Sequence, residues 1–165
     1  MIRLGTPLLL GIPELDAQHE RIAELVNAIQ GEIQRHQEGS AAARAETAPA
    51  CCRQVRRLMQ GLARQIDQHF CTEEGMMAQC GYPDTQNHRL EHRLMLAEFM
   101  GLFRSICAGE ACLKPSDLVA LEHWFIGHLA SDDLSFARFL KQAPLRVCRL
   151  PLSNIRPAQP TRLGI

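Results

Sequence analysis

The sequence predicts an all-α protein: an up-down-up-down four-helix bundle with a short N-terminal arm and an extended C-terminal tail. Apolar residues recur at steps of three and four through four long segments, as they must if each segment buries one helical face. Aromatic residues make up only 5% of the 165, while Leu, Ala, Gln, Glu and Arg are plentiful, and that composition favours helices. No segment reads convincingly as a strand.

The first helix is predicted from about Asp16 to His36. Pro13 and Asp16 supply its start, and Leu15, His19, Ile22, Val26, Ile29 and Ile33 share one face. Residues 37–49 are small and polar and are bracketed by Gly39 and Pro49, so they are predicted to form a long loop with a helical turn near Ala41–Ala45. The second helix runs from about Ala50 to Cys80 with an inner stripe of Val55, Leu58, Leu62, Ile66, His69, Glu73 and Met76 or Met77, and is broken by Gly81-Tyr82-Pro83. The third runs from about Asp84 to Ala108 and lines His88, His92, Met95, Phe99, Phe103 and Ile106 along one side. After a turn over 109–115, Ser116 is expected to cap the fourth helix, which carries Leu121, Phe125, His128, Phe136 and Leu140. Short second and third connections make neighbouring helices antiparallel. Residues 1–143 are thus expected to form the bundle. Residues 144–165 hold four prolines and four arginines and no acid, and are read as an extended tail or as a docking segment for an acidic protein partner.

Lys+Arg and Asp+Glu each number 18, so there is no global attraction to nucleic acid or to an anionic membrane. No apolar run approaches the roughly 20 residues that span a bilayer, and Leu8–Leu10 is too short for a signal-peptide core, so no membrane association and a cytoplasmic location are expected. The seven cysteines include adjacent Cys51 and Cys52 but no CxxC. They are expected to be reduced and mostly buried, with a Cys107–Cys112 redox pair as the alternative.

Five of the seven histidines lie on the inward stripes, and all four helices contribute. Five buried imidazoles would need partners at both ring nitrogens, and any protonated ring would need a counter-charge. Metal satisfies one nitrogen per ring and takes only the neutral form. His69 and Glu73 are four apart, as are His88 and His92, so each pair projects from one face and can chelate an ion. Imidazole suits iron, and a carboxylate can span two ions. The acid partner of His128 is open: ideal α-geometry selects Asp132, whereas a local π-type widening would select Asp133.

The segments Gly11-Ile12-x-x-x-Asp16-x-Gln18-His19, His69-Phe70-x-x-Glu73-Glu74-x-x-Met77, Tyr82-Pro83, His88-x-x-x-His92 and Trp124-x-x-x-His128-x-x-x-x-Asp133 resemble those of bacterial hemerythrins across residues 11–140. The resemblance implies a non-haem di-iron centre. His88, His92 and His128 would ligate one iron and saturate it, His19 and His69 would ligate the other, and Glu73, Asp133 and an oxo or hydroxo group would bridge the two. It thereby selects Asp133 over Asp132. It also implies a dioxygen pocket walled by Ile22, Ala23, Trp124 and Phe125, and Phe125 stands where Leu is frequent. The 37–50 connection is longer than expected for bacterial members, and the usual aromatic of the N-terminal arm is missing, with Leu8–Leu10 as its expected replacement. Asp16 and Gln18 are read as orienting His19, Asp16 equally as a helix cap, while Glu74 and Asp132 are expected to point away from the centre.

The implied function is reversible dioxygen binding for storage, delivery or buffering, not catalysis. A dioxygen, nitric oxide or redox sensor acting through a partner and a di-iron peroxidase or oxidase are the alternatives.

Overall fold

The computed structural model describes residues 9–108 and 113–142. The helices are α1 (Pro13–Glu38), α2 (Ala41–Cys80), α3 (Thr85–Ala108), α4 (Pro115–His128) and α5 (Leu134–Gln142). A π-helical stretch, Leu129–Asp133, joins α4 to α5 so that the two continue as one rod. No strand occurs among the described residues. His19 lies early in α1, His69 late in α2, His88 early in α3 and His128 at the end of α4, yet all four meet in one layer. Chain direction therefore alternates, and the fold is the predicted all-α four-helix bundle.

The apolar stripes are the buried faces. Leu15, Ile22, Val26, Ile29 and Ile33 of α1 are all inside, as are Met95, Phe99, Phe103 and Ile106 of α3. On α2, Met59 is fully buried where the stripe named Leu58, which is half-buried.

The core forms two clusters. The larger is built on Ile22, Val26, Met59, Leu62, Ile66 and Phe99. The smaller gathers Leu10, Leu15, Met76, Met77, Leu129 and Phe136. Leu10 of the N-terminal arm is thus a core residue, while Leu9 is exposed and Leu8 lies outside the described residues. The arm is held by Asp16, whose two carboxylate oxygens accept the backbone N–H groups of Leu10 (2.8 Å) and Gly11 (3.0 Å). Asp16 therefore fastens the arm and does not orient His19.

Two local expectations need correction. The predicted loop over 37–49 is helical from Ala41 onward, leaving only Gly39 and Ser40 between α1 and α2. Ser40 caps the helix by accepting from Ala43 N–H (3.3 Å), and the alanines that follow have the highest helix propensity of any residue. Their local preference carries the helix through Pro49. The fourth helix is capped two residues earlier than expected, at Lys114 instead of Ser116: Pro115 occupies its first turn, and the Asp117 carboxylate accepts from Lys114 N–H (2.8 Å).

Of the described cysteines only Cys80 is buried. Cys51, Cys71 and Cys107 are half-buried and Cys52 is exposed, and no disulfide joins them. The expectation of mostly buried thiols is corrected: these positions fall on the margins of the helical stripes. Cys112 and the tail from 144 onward lie outside the described residues. No described helix is long and apolar enough to cross a membrane.

Phe136 has no exposed surface and anchors the smaller cluster. Phe136→Ala should lower unfolding free energy by about 3–5 kcal/mol, read as a shifted denaturant midpoint at unchanged slope.

Candidate metal centre

Seven ionisable side chains occupy a layer between the two apolar clusters. On α1, α2 and the α4–α5 rod the chain order places them there. His19 sits between Leu15 and Ile22, His69 and Glu73 between Ile66 and Met77, and His128 and Asp133 between Phe125 and Phe136. Glu73 is 0% and Asp133 1% exposed.

The donor atoms fall into two groups that share one residue. Glu73, His88, His92, His128 and Asp133 can each point a ligand atom at one ion, and His19, His69 and Asp133 at a second. Asp133 divides its oxygens between the two groups. Its Oδ1 lies 2.9 Å from His128 Nε2 and 3.3 Å from His88 Nε2, while its Oδ2 lies 3.1 Å from His19 Nε2 and 3.7 Å from His69 Nε2. Glu73 Oε2 is 3.2 Å from His88 Nε2, 3.3 Å from His92 Nε2 and 4.0 Å from His69 Nε2.

The π-helical stretch explains how Asp133 gets there. Five residues along an α-helix turn the side chain about 140° away from the starting face. One wider turn absorbs the excess, so Asp133 faces inward with His128. Asp132 is displaced outward, with its side chain 36% exposed.

Three of the five outer ring nitrogens meet a partner. Gln18 donates from Nε2 to Thr72 Oγ1 (3.1 Å), which turns its Oε1 toward His69 Nδ1 (3.2 Å). His92 Nδ1 donates to Glu74 Oε1 (3.1 Å), and Arg89 Nε holds the other oxygen of Glu74 at 2.8 Å. His128 Nδ1 lies 3.6 Å from Asp132 Oδ2. With Nδ1 protonated, the Nε2 lone pairs of His69 and His92 face the interior. There they approach other ring nitrogens: His19 and His69 Nε2 are 3.2 Å apart, and His92 and His128 Nε2 are 3.1 Å apart.

Gln18 thus serves His69, not His19 as the sequence suggested. Glu74 and Asp132 do point away from the centre, but toward the imidazoles they support. Those roles depend on which helices meet, so spacing along one helix carries no signal of them. Phe70 was also missed. Its ring stacks on His92 at 3.8 Å between centroids and 10° between planes.

The donor set fits cations. Both oxygens of Glu73, Asp133 Oδ1 and His88 Nε2 have no aligned hydrogen bond despite near neighbours, so their lone pairs point into shared space rather than at one another. Burial alone would push the Asp133 carboxyl up, yet contacts with His128, His19, His69 and His88 hold it well below the ordinary carboxylate range. Burial would likewise raise Glu73, but His88 and His92 draw it down. Burial disfavours a charged His88, yet Asp133 and Glu73 raise its pKa to about 10. The layer calls for positive charge at its centre. Metal cations supply that charge while leaving the imidazoles neutral, and burial already lowers His69 toward the neutral form.

The remaining expected wall residues sit beside this layer. Ile22, Ala23 and Phe125 are buried, and the Phe125 and His19 rings form a T-shaped pair at 5.9 Å between centroids. Trp124 is half-buried and lines a groove between α3 and α4. Of the two other histidines, His36 is half-buried and His123 exposed, and neither belongs to the cluster.

Residues 10–140 match the family model of the hemerythrin HHE cation binding domain. The chain is also 26% identical to a bacteriohemerythrin of Stenotrophomonas maltophilia (strain R551-3) over 135 residues, which cover 80% of this chain and 76% of that relative. With an alternating helical bundle around a buried histidine–carboxylate layer and a family match spanning most of its length, the chain belongs to the hemerythrin family.

Proposed function

We propose that this protein binds dioxygen reversibly at a centre of two iron ions and serves in oxygen storage, delivery or buffering rather than in catalysis. The observation that carries this reading is the division of Asp133, with one oxygen toward each histidine group. In this reading His88, His92 and His128 would hold one iron, His19 and His69 would hold the other, and Glu73 and Asp133 would serve both. The second iron then has one protein donor fewer than the first. When bound, the iron pair supplies the electrons that dioxygen takes up and the open position it occupies.

The rest falls to the chain. Ile22, Ala23 and Phe125 present apolar surface on the His19 side and keep water away. Trp124 packs half-buried against the larger apolar cluster beside α3. Gln18 and Glu74 lock two imidazoles in the metal-binding tautomer, so the donors are oriented before any ion arrives. Among the described residues, no acid stands ready to protonate a bound ligand. Glu74 is occupied by Arg89 and His92, and Asp132 lies beside Ser131 and His128. That absence of a proton donor favours reversible binding over cleavage of the oxygen–oxygen bond, and so favours a carrier over a peroxidase or oxidase.

The reduced, iron-loaded protein should gain an intense visible band in air and lose it under argon through repeated cycles. One irreversible bleaching would overturn the reading. Asp133→Asn should abolish loading of two irons per chain, measured by metal analysis, whereas Asp132→Asn should keep it with iron affinity reduced by about tenfold or less. Glu74→Gln should weaken iron binding by about 10- to 100-fold, the range for loss of a histidine's outer partner. Unchanged affinity in a competition titration would remove Glu74 from the site.

A further inference from the structure

The groove between α3 and α4 has an apolar floor and an acidic rim. Phe99, Leu102, Leu121 and Trp124 line its upper part, and Leu94 and Met95 its lower part. Leu94 is among the most exposed large apolar residues of the chain. The carboxylates along it are Glu91, Glu98, Asp117 and Asp132, and no described Lys or Arg lines it. Glu98 and Trp124 border both parts, so the furrow is continuous, and its lower end reaches His128.

The chain continues beyond Gln142, the end of the rod whose flank forms one wall of this furrow. Residues 143–165 carry Arg146, Arg149, Arg156 and Arg162, no acid, and interspersed Leu145, Val147, Leu150, Leu152 and Ile155. Cationic heads alternating with apolar side chains match a furrow with an apolar floor and carboxylate rims. Reach is ample. The path back along α5 to Asp132 is about 15 Å, and the furrow on to Asp117 adds about 22 Å. An extended segment of this length spans up to about 75 Å. Tethering also supplies a high effective concentration, so individually weak surface ion pairs suffice.

The geometry points to docking in cis: the C-terminal segment of this chain lies in its own α3–α4 furrow, arginines against Glu91, Glu98, Asp117 and Asp132, and a guanidinium over the face of Trp124. The acidic partner of the tail is the bundle itself, and the docked segment screens the solvent-facing side of His128. This inference does not rest on the identity of the metal or on reversible oxygen binding.

Trp124 is the sole tryptophan, so its fluorescence reports on the furrow alone. Ending the chain at Gln142 should move its emission to longer wavelength and strengthen acrylamide quenching several-fold at equal iron content. Glu91→Lys combined with Glu98→Lys in the full chain, both at exposed positions, should reproduce that change with helicity retained. A synthetic peptide of residues 143–165, added to the shortened protein, should reverse it saturably. Identical emission and quenching in full and shortened chains would overturn the proposal, as would a charge-reversed chain that behaves like the parent. A full-chain signal that fades on dilution along with a dimer would also overturn docking in cis, by assigning the furrow to the tail of a second copy.

Discussion

Burying seven ionisable side chains in one layer is the constraint to which the rest of this fold answers. An unpaired buried carboxylate costs several kcal/mol, more than most single contacts return. Glu73 and Asp133 tolerate their position only because imidazoles from every helix crowd around them. That demand fixes each helix in rotation and in height. A slip of one residue would rotate a helix by about 100° and carry its donors out of the layer. The apolar clusters above and below prevent the slip. The same turn that points His19 inward buries Leu15 on one side and Ile22 on the other, so register is held by packing that no metal supplies.

The π-helical stretch shows the constraint acting on the backbone. Regular α-geometry after His128 would deliver Asp132, a residue whose neighbours Ser131 and Ser135 face solvent. The wider turn instead delivers Asp133 and leaves Asp132 within reach of His128 Nδ1. One distortion thus places two acids in different roles on one imidazole. The cost of a single poorer turn is offset along a rod whose inward side also buries Leu129, Phe136 and Ala137. The outer hydrogen bonds follow the same economy. Thr72 turns Gln18, Gln18 turns His69, and Arg89 holds Glu74 against His92. Each chain ends by presenting an Nε2 lone pair inward.

Periodicity made the four helices and most of their buried faces legible, because an amphipathic stripe is a one-dimensional record of packing. The five inward histidines were legible for the same reason. The connection after α1 was misread because Gly39 and Pro49 are strong punctuators, while the helix-forming tendency of the alanines between them accumulates without any single signal. The start of α4 was misread through a competition of caps, where Asp117 reaching back to Lys114 outranked Ser116. Asp133 followed from spacing only if a π-turn was admitted, and the resemblance, not helix geometry, chose it. Gln18 with His69 and Glu74 with His92 were beyond reach, since both pairs join different helices and depend on relative height. Phe70 escaped notice because an aromatic on an inward face looks the same whether it fills core or stacks on an imidazole.

The two halves of the layer are also walled differently, and the difference has a direction. His92 is covered by the flat face of Phe70, in van der Waals contact over the whole ring. That face covers one imidazole on the side richer in imidazoles. The His19 and Phe125 rings form a T-shaped pair at a larger separation, 5.9 Å between centroids and 70° between planes. A T-shaped pair overlaps less ring surface than a stacked pair does. The side with fewer protein donors is therefore also the side with the looser aromatic cover, and the apolar surface of Ile22 and Ala23 borders it. In the proposed reading that apolar border favours a small, uncharged ligand, because a charged or strongly hydrated molecule would have to shed its water against hydrocarbon with nothing offered in return.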